Sequence, residues 1–172
     1  LTVNAALIQD YDREPAKSGQ QIGKTATVGD DVVLAGNVRI GPNATLSGAT
    51  AIGSNVTIGA NTVVENSVVF PDAVIGPGVV VRDAIVAGNA RIGPNVTIVG
   101  GPSTVVVGDA VHRDVTLGGV VGDNTSIGGG ATLTNGAVVG DDVRATAEEG
   151  NGEWGGVSDG GRGGGICGEL FG

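Results

Sequence analysis

Apolar residues recur every six positions through the first part of the chain: Ile22, Val28, Leu34, Ile40, Leu46, Ile52, Ile58 and Val64. A six-residue period matches neither the turn of an amphipathic helix nor the two-residue alternation of an ordinary strand. It matches a β-solenoid in which every six-residue unit supplies one short strand and one corner. After each ladder position comes a small or turn-prone residue: Gly23, Gly29, Ala35, Gly41, Ser47, Gly53 and Gly59. Asp30-Asp31, Pro42-Asn43 and Ser54-Asn55 follow several of these. Gly, Asn and Asp accept the positive φ of a tight corner, and Pro presets a negative one.

Four residues past each ladder position lies a second small or β-branched residue: Ala26, Val32, Val38, Ala44, Thr50, Val56 and Thr62. Strand side chains alternate faces, so this residue and the next ladder residue both point inward, with one outward residue between them. The predicted interior therefore alternates Ile, Leu and Val layers with Ala, Thr and Val layers. Val69, Ile75, Val81, Val86, Ile92 and Ile98 extend the ladder, with five-residue steps at Val64 to Val69 and Val81 to Val86. The ladder breaks after Ile98 and resumes at Val121, Ile127, Leu133 and Val139. Three units per turn make a triangular coil, so residues 22–144 predict roughly six coils and a prism about 30 Å tall. Residues 99–119 read as an irregular insertion.

Two appendages flank the solenoid of 16–144. Residues 1–15 read as a linker helix: Val3, Ala6, Leu7 and Tyr11 have helical spacing, and Arg13-Glu14-Pro15 ends the run. Such a helix is too short to stand alone in water and must dock, on the first coil or on a domain before Leu1. Residues 145–172 lose the period and become a Gly-rich tail, within which Trp154 and the cluster from Ile166 to Phe171 are the groups able to dock.

Composition narrows the partners. A formal net charge of −9 with no basic stripe argues against nucleic acid. No apolar run reaches the length of a membrane span, no secretory signal is visible, and the location expected is the cytoplasm. Lone Cys167 rules out an intrachain disulfide framework. Only two of the nine basic residues are lysines, Lys17 and Lys24. Asp-rich acidity with few lysines suggests a high-salt interior, where carboxylates keep the surface hydrated.

Candidate chemistry is sparse. His112 is the single histidine, flanked by Arg113 and Asp114 within the insertion. No Cys/His zinc spacing, Ser/His/Asp arrangement or phosphate-binding Gly-Lys-Ser/Thr loop is present. His112 is thus the one candidate for a general base, and a surface histidine is the simpler reading.

The hexads resemble the left-handed parallel β-helix of the hexapeptide transferases, and the left hand comes from that resemblance, against the usual crossover rule. The run VENSVVFPDAVIGPGVVVRDAIVAGNARIGPNVTI (64–98) is similar to the C-terminal solenoid of sugar-1-phosphate nucleotidylyltransferases. TVNAALIQDYD (2–12) is similar to the helix joining their catalytic domain to that solenoid. The likeness is to archaeal, haloarchaeal-type glucose-1-phosphate thymidylyltransferases and bifunctional N-acetylglucosamine-1-phosphate uridylyltransferases. VVVGDAVHRDVTLGGVVGDNTSIGGGATL (105–133) resembles the region that closes the acetyltransferase site of the bifunctional enzymes. Where those enzymes carry an Asn-Leu-Arg-His-Asp-like stretch, this chain has Gly100-Gly101-Pro102-Ser103-Thr104, so no catalytic residue carries over.

The resemblance implies a trimerising solenoid domain of a nucleotidylyltransferase, with its catalytic domain upstream and no cofactor of its own. One alternative is an acetyl-coenzyme A-dependent acyltransferase acting on an amino-sugar phosphate, the case in which acetyl-coenzyme A would be the co-substrate. Another is a structural solenoid that self-assembles. Outward apolar residues such as Val33, Val63, Val80 and Val106 are candidates for the contact between copies.

Overall fold

The computed structural model describes residues 19–107, 110–145 and 158–159. Strands of two or three residues alternate with corners and stack in parallel into three faces. The first face runs from Gln21–Ile22 through Arg39–Ile40, Thr57–Ile58, Val74–Ile75, Arg91–Ile92 and Ser126–Ile127 to Val143–Ala145. The second runs from Thr27–Val28 to Thr132–Leu133, and the third from Val32–Leu34 to Val138–Val139, with six strands each. These make six coils of a parallel β-prism, as the period predicts, consistent with the left-handed hexapeptide β-helix that the resemblance implies.

Ladder residues stack on ladder residues. Ile40 pairs with Ile22 and Ile58, Leu46 with Val28 and Val64, and Ile52 with Leu34 and Val69. Apart from the first coil they are buried, together with the intervening row of Val38, Ala44, Val56, Ala73, Val79, Ala90 and Val96. Two inward side chains per six residues fill a triangle too narrow for aromatic rings, so aliphatics and small residues occupy it.

Corners obey the expected chemistry. Among the described residues every non-glycine residue with positive φ is Asn or Asp, at φ from 48° to 63°. Their amides also stack: Asn37 Nδ2 donates to Asn55 Oδ1 at 3.2 Å, and Asn55 Nδ2 to Asp72 Oδ1 at 3.1 Å. The same column continues from Asn89 to Asn124, and a parallel column links Asn43 to Asn61. One side chain thereby meets two demands, tolerating the left-handed backbone and binding the next coil.

Corner partners lie 18 residues apart between Asn37 and Asn55, but 17 apart between Asn55 and Asp72. The lost residue falls at the five-residue step after Val64. There Ser67 turns inward and stitches the shortened corner. Its backbone N–H donates to Thr50 Oγ1, its hydroxyl donates to the carbonyl of Glu65 at 2.7 Å, and it accepts from the N–H of Ala84 at 3.1 Å. Thr50, Thr62 and Thr125 are likewise buried, and each hydroxyl donates to a backbone carbonyl. Burial of these hydroxyls is tolerated because each is hydrogen-bonded.

One element differs from the expectation. Residues 99–119, read as irregular, contain two strands, Gly101–Val107 and Ala110–Leu117, paired as an antiparallel hairpin. β-branched residues on both sides of Gly108-Asp109, Thr104 to Val107 before it and Val111, Val115 and Thr116 after it, carry the hairpin signal, which a search for period six passes over. At the far end Ser158–Asp159 pairs antiparallel with Val143 and Arg144, so the chain folds back onto the last first-face strand. The expected helix over 1–15 and the rest of the tail lie outside the described residues.

Candidate functional site

The hairpin replaces the fifth corner between the second and third faces. Gly100 still donates its N–H to the carbonyl of Arg82 at 2.9 Å, so the coil keeps its register up to the point of departure. Re-entry at Gly118-Gly119 is tight. A Cβ on Gly118 would run into the Asp83 carbonyl, and one on Gly119 would meet Ile98 Cγ2 at 2.6 Å. Glycine is required there because the returning backbone passes where a side chain would stand.

Pairing within the hairpin slips between Ser103 and Val105. Ser103 faces Val115 and Val105 faces His112, so Arg113 and Asp114 together oppose Thr104. This is a β-bulge directly after His112. Bulges locally bend a strand and re-aim its side chains. His112 therefore sits on a strand backbone next to a bulge, where the sequence suggests a loop. Among the described residues no group of three His, Cys, Asp or Glu side chains converges to hold a metal ion.

The remaining candidates are surfaces. Outward rows differ sharply between faces. The first face presents Gln21, Arg39, Thr57, Val74, Arg91, Ser126 and Arg144. The second presents Thr27, Thr45, Val63, Val80, Thr97 and Thr132. The third presents Val33, Ala51, Val68, Ile85, Val120 and Val138, apolar at every coil. Within the coils the aspartates keep to the corners, where two hold backbone: Asp123 Oδ1 accepts from the N–H of Gly88 at 2.7 Å, and Asp141 Oδ1 from that of Asp123 at 2.8 Å. Glu65 and Arg82 form an exposed ion pair at 3.1 Å at the ends of their second-face strands, below the hairpin, a kind of contact that contributes little.

The outward valines suggested by the sequence do not share one face. Val33 belongs to the third row, Val63 and Val80 to the second, and Val106 to the hairpin. The continuous apolar row was readable as the residue preceding each third-face ladder position. It emerges only once the five-residue steps and the hairpin are placed, because each shifts the count. No helix among the described residues is long and apolar enough to cross a membrane.

Comparison with known proteins adds the family. AntD, an N-acyltransferase from Bacillus cereus solved as a mutant with dTDP and coenzyme A, shares 17% identity over 74% of this chain and 76% of its own, with a TM-score of 0.58. That likeness is one of fold. A hexapeptide transferase family protein from Anaplasma phagocytophilum shares 21% identity over 82% of this chain and 80% of its own, at a TM-score of 0.45 too low to weigh. No curated protein sequence matches significantly. The family model described as GMPPB C-terminal domain matches residues 28–117, just over half of the chain. The span runs from the first second-face strand through the end of the hairpin, so it takes in the hairpin together with the coils. The chain belongs to the GMPPB C-terminal domain family, a hexapeptide-repeat β-helix of nucleotidyltransferase type.

Proposed function

We propose that this chain is the solenoid domain of a sugar-1-phosphate nucleotidylyltransferase, which holds copies of itself together as a trimer and positions an upstream nucleotidyl-transfer domain. The observation that carries the trimer is the distribution of charge over the faces. The first face has arginines at Arg39, Arg91 and Arg144, whereas the third row is apolar and the second face carries charge only as the Glu65–Arg82 ion pair at its strand ends; the two adjoin along the corner that bears the hairpin. The third row spans about 24 Å, five strand spacings. One such strip falls short of the roughly 800 Å² per partner of a stable interface. Second face against third face, repeated around a threefold axis, uses the two faces of every copy that carry no unpaired charge along their outward rows and closes the ring.

Light scattering tests this. The protein is expected to run as a trimer, and Ile85→Asp to dissociate it, raising the dissociation constant at least about tenfold through a desolvated charge. Arg91→Asp on the first face is expected to leave it trimeric. A monomeric wild type at both low and molar salt sinks the proposal. Unfolding of the same samples bears on the haloarchaeal, cytoplasmic origin we propose: the midpoint should rise between low and molar salt.

A second reading, transfer of an acyl group from acetyl-coenzyme A to an amino-sugar phosphate, is favoured by the bulge beside His112 and by the fold likeness to AntD. It predicts acetyl transfer to glucosamine-1-phosphate that falls at least about a hundredfold in His112→Ala, the loss expected for a general base. Absence of transfer by the wild type removes it.

A further inference from the structure

The two ends of the prism are unlike. At the C-terminal end the last inward residues are covered: Val139 is 8% exposed and Val143 2%, and Ser158–Asp159 adds a strand to the first face. At the N-terminal end Ile22, the first rung of the ladder, is 46% exposed, while its stacked neighbour Ile40 is 3%. Ala26, Val28, Val32 and Leu34 around it are only partly buried. Gln21–Ile22, Thr27–Val28 and Val32–Leu34 each pair on one side only. This end is a cross-section through the core, ringed by unpaired strand edges. Solenoids require such ends to be capped, since an open one templates the next molecule.

The chain arrives where a cap would begin. Gly19 lies over Asn37, taking the place in the corner column that a preceding coil would fill. The Gln20 side-chain amide donates to the carbonyls of Leu34 and Ala35, at 3.4 and 3.3 Å. Residues 13–18 therefore start from the rim of the open end. Six residues reach at most about 20 Å, enough to turn back over it. A helix over residues 1–12 is about 18 Å long, comparable to the end it would cross. Its Val3, Ala6, Leu7 and Tyr11 form one apolar stripe.

We infer that residues 1–12 dock as a helix across the N-terminal end of the prism, with Val3, Leu7 and Tyr11 covering Ile22, Val28 and Leu34. The helix gains the tertiary partner that its length demands, and the solenoid gains a stop against end-to-end growth. The occupant is this chain's own segment, whatever domain precedes it, so the inference stands apart from the trimer, whose contacts lie on the sides of the prism.

Hydrogen exchange read by mass spectrometry over residues 20–35 of the full chain tests it. Leu7→Asp is expected to speed exchange there at least about tenfold by local opening, with residues 50–100 unaffected. Gln9→Asp, on the opposite side of the helix, should leave wild-type rates. Unchanged exchange in Leu7→Asp overturns the inference. So does protection of 20–35 in the wild type that is lost on dilution and by Ile22→Asp, since a second copy then covers the end. Should Leu7→Asp fail to fold, oxidation of Leu7→Cys/Ile22→Cys in a Cys167→Ser background decides. An intramolecular disulfide supports the cap, and its absence, or a disulfide between chains, overturns it.

Discussion

Leu46→Ala is expected to lower the stability of the solenoid by about 2–5 kcal/mol, the range for a fully buried leucine whose cavity does not collapse. Leu46 is fully buried and stacks between Val28 below and Val64 above. Both are β-branched side chains held by the strand ladder, with few alternative rotamers to fill the space. Neighbouring coils meet this position from both sides, so the loss weakens two interfaces between repeats. Val74→Ala is the matched comparison. Val74 is 36% exposed on the outside of the first face, and its truncation should cost less than about 1 kcal/mol. Urea unfolding followed by far-ultraviolet circular dichroism measures both. Tryptophan fluorescence does not serve, because Trp154 stands in the tail. A loss below about 1 kcal/mol for Leu46→Ala contradicts a packed interior.

Gly41→Ala tests the corners with a single methyl group. A Cβ at Gly41 meets the Ala60 nitrogen at 2.6 Å, the Gly59 carbonyl carbon at 2.8 Å and the Ala60 Cα at 3.0 Å. All three are backbone atoms of the next coil, fixed by the hydrogen bond from the Gly41 N–H to the Ile58 carbonyl. No side chain can swing aside, so the coils must part locally. The expected cost is about 1–3 kcal/mol, the range for overpacking. Gly36→Ala is the contrast: nothing lies within 4 Å of its added Cβ and its φ is not positive. That substitution should be neutral, or stabilising by about 0.4–1 kcal/mol through the unfolded chain. Equal effects at the two glycines count against close stacking at this corner. Gly23, Gly53, Gly76 and Gly93 face the next coil in the same way, so the glycine after a ladder residue is a spacing requirement more than a conformational one.

That distinction bears on how the chain is read. Gly after each ladder residue suggests a positive φ, but φ is positive at the Asn and Asp two residues further on, while Gly41 and its equivalents serve contact between coils. The local pattern identifies the corner. Which of its residues bears the strained backbone, and which the close approach, depends on the coil above.

The candidate site was less legible than the fold. His112 stands out in the sequence because it is the single histidine, yet the bulge that follows it arises from how two strands pair across the hairpin. The apolar third face is scattered in sequence, since Val68 and Ile85 stand beside five-residue steps and Val120 follows the hairpin. Its members become neighbours only through stacking.

By itself the sequence determined the period, the identity of the inward residues, the corners, the two shortened steps and the place of the interruption. Each of these follows from interactions within about six residues or from burial repeated at every turn. Tertiary structure decided what depends on register between distant coils: the three outward rows, the inward turn of Ser67, the hairpin, and the contrast between buried last rungs and an exposed first one. Side chains alternate strictly along each strand, so one residue lost or inserted reassigns everything after it to a new place on the surface while leaving the interior period nearly unchanged.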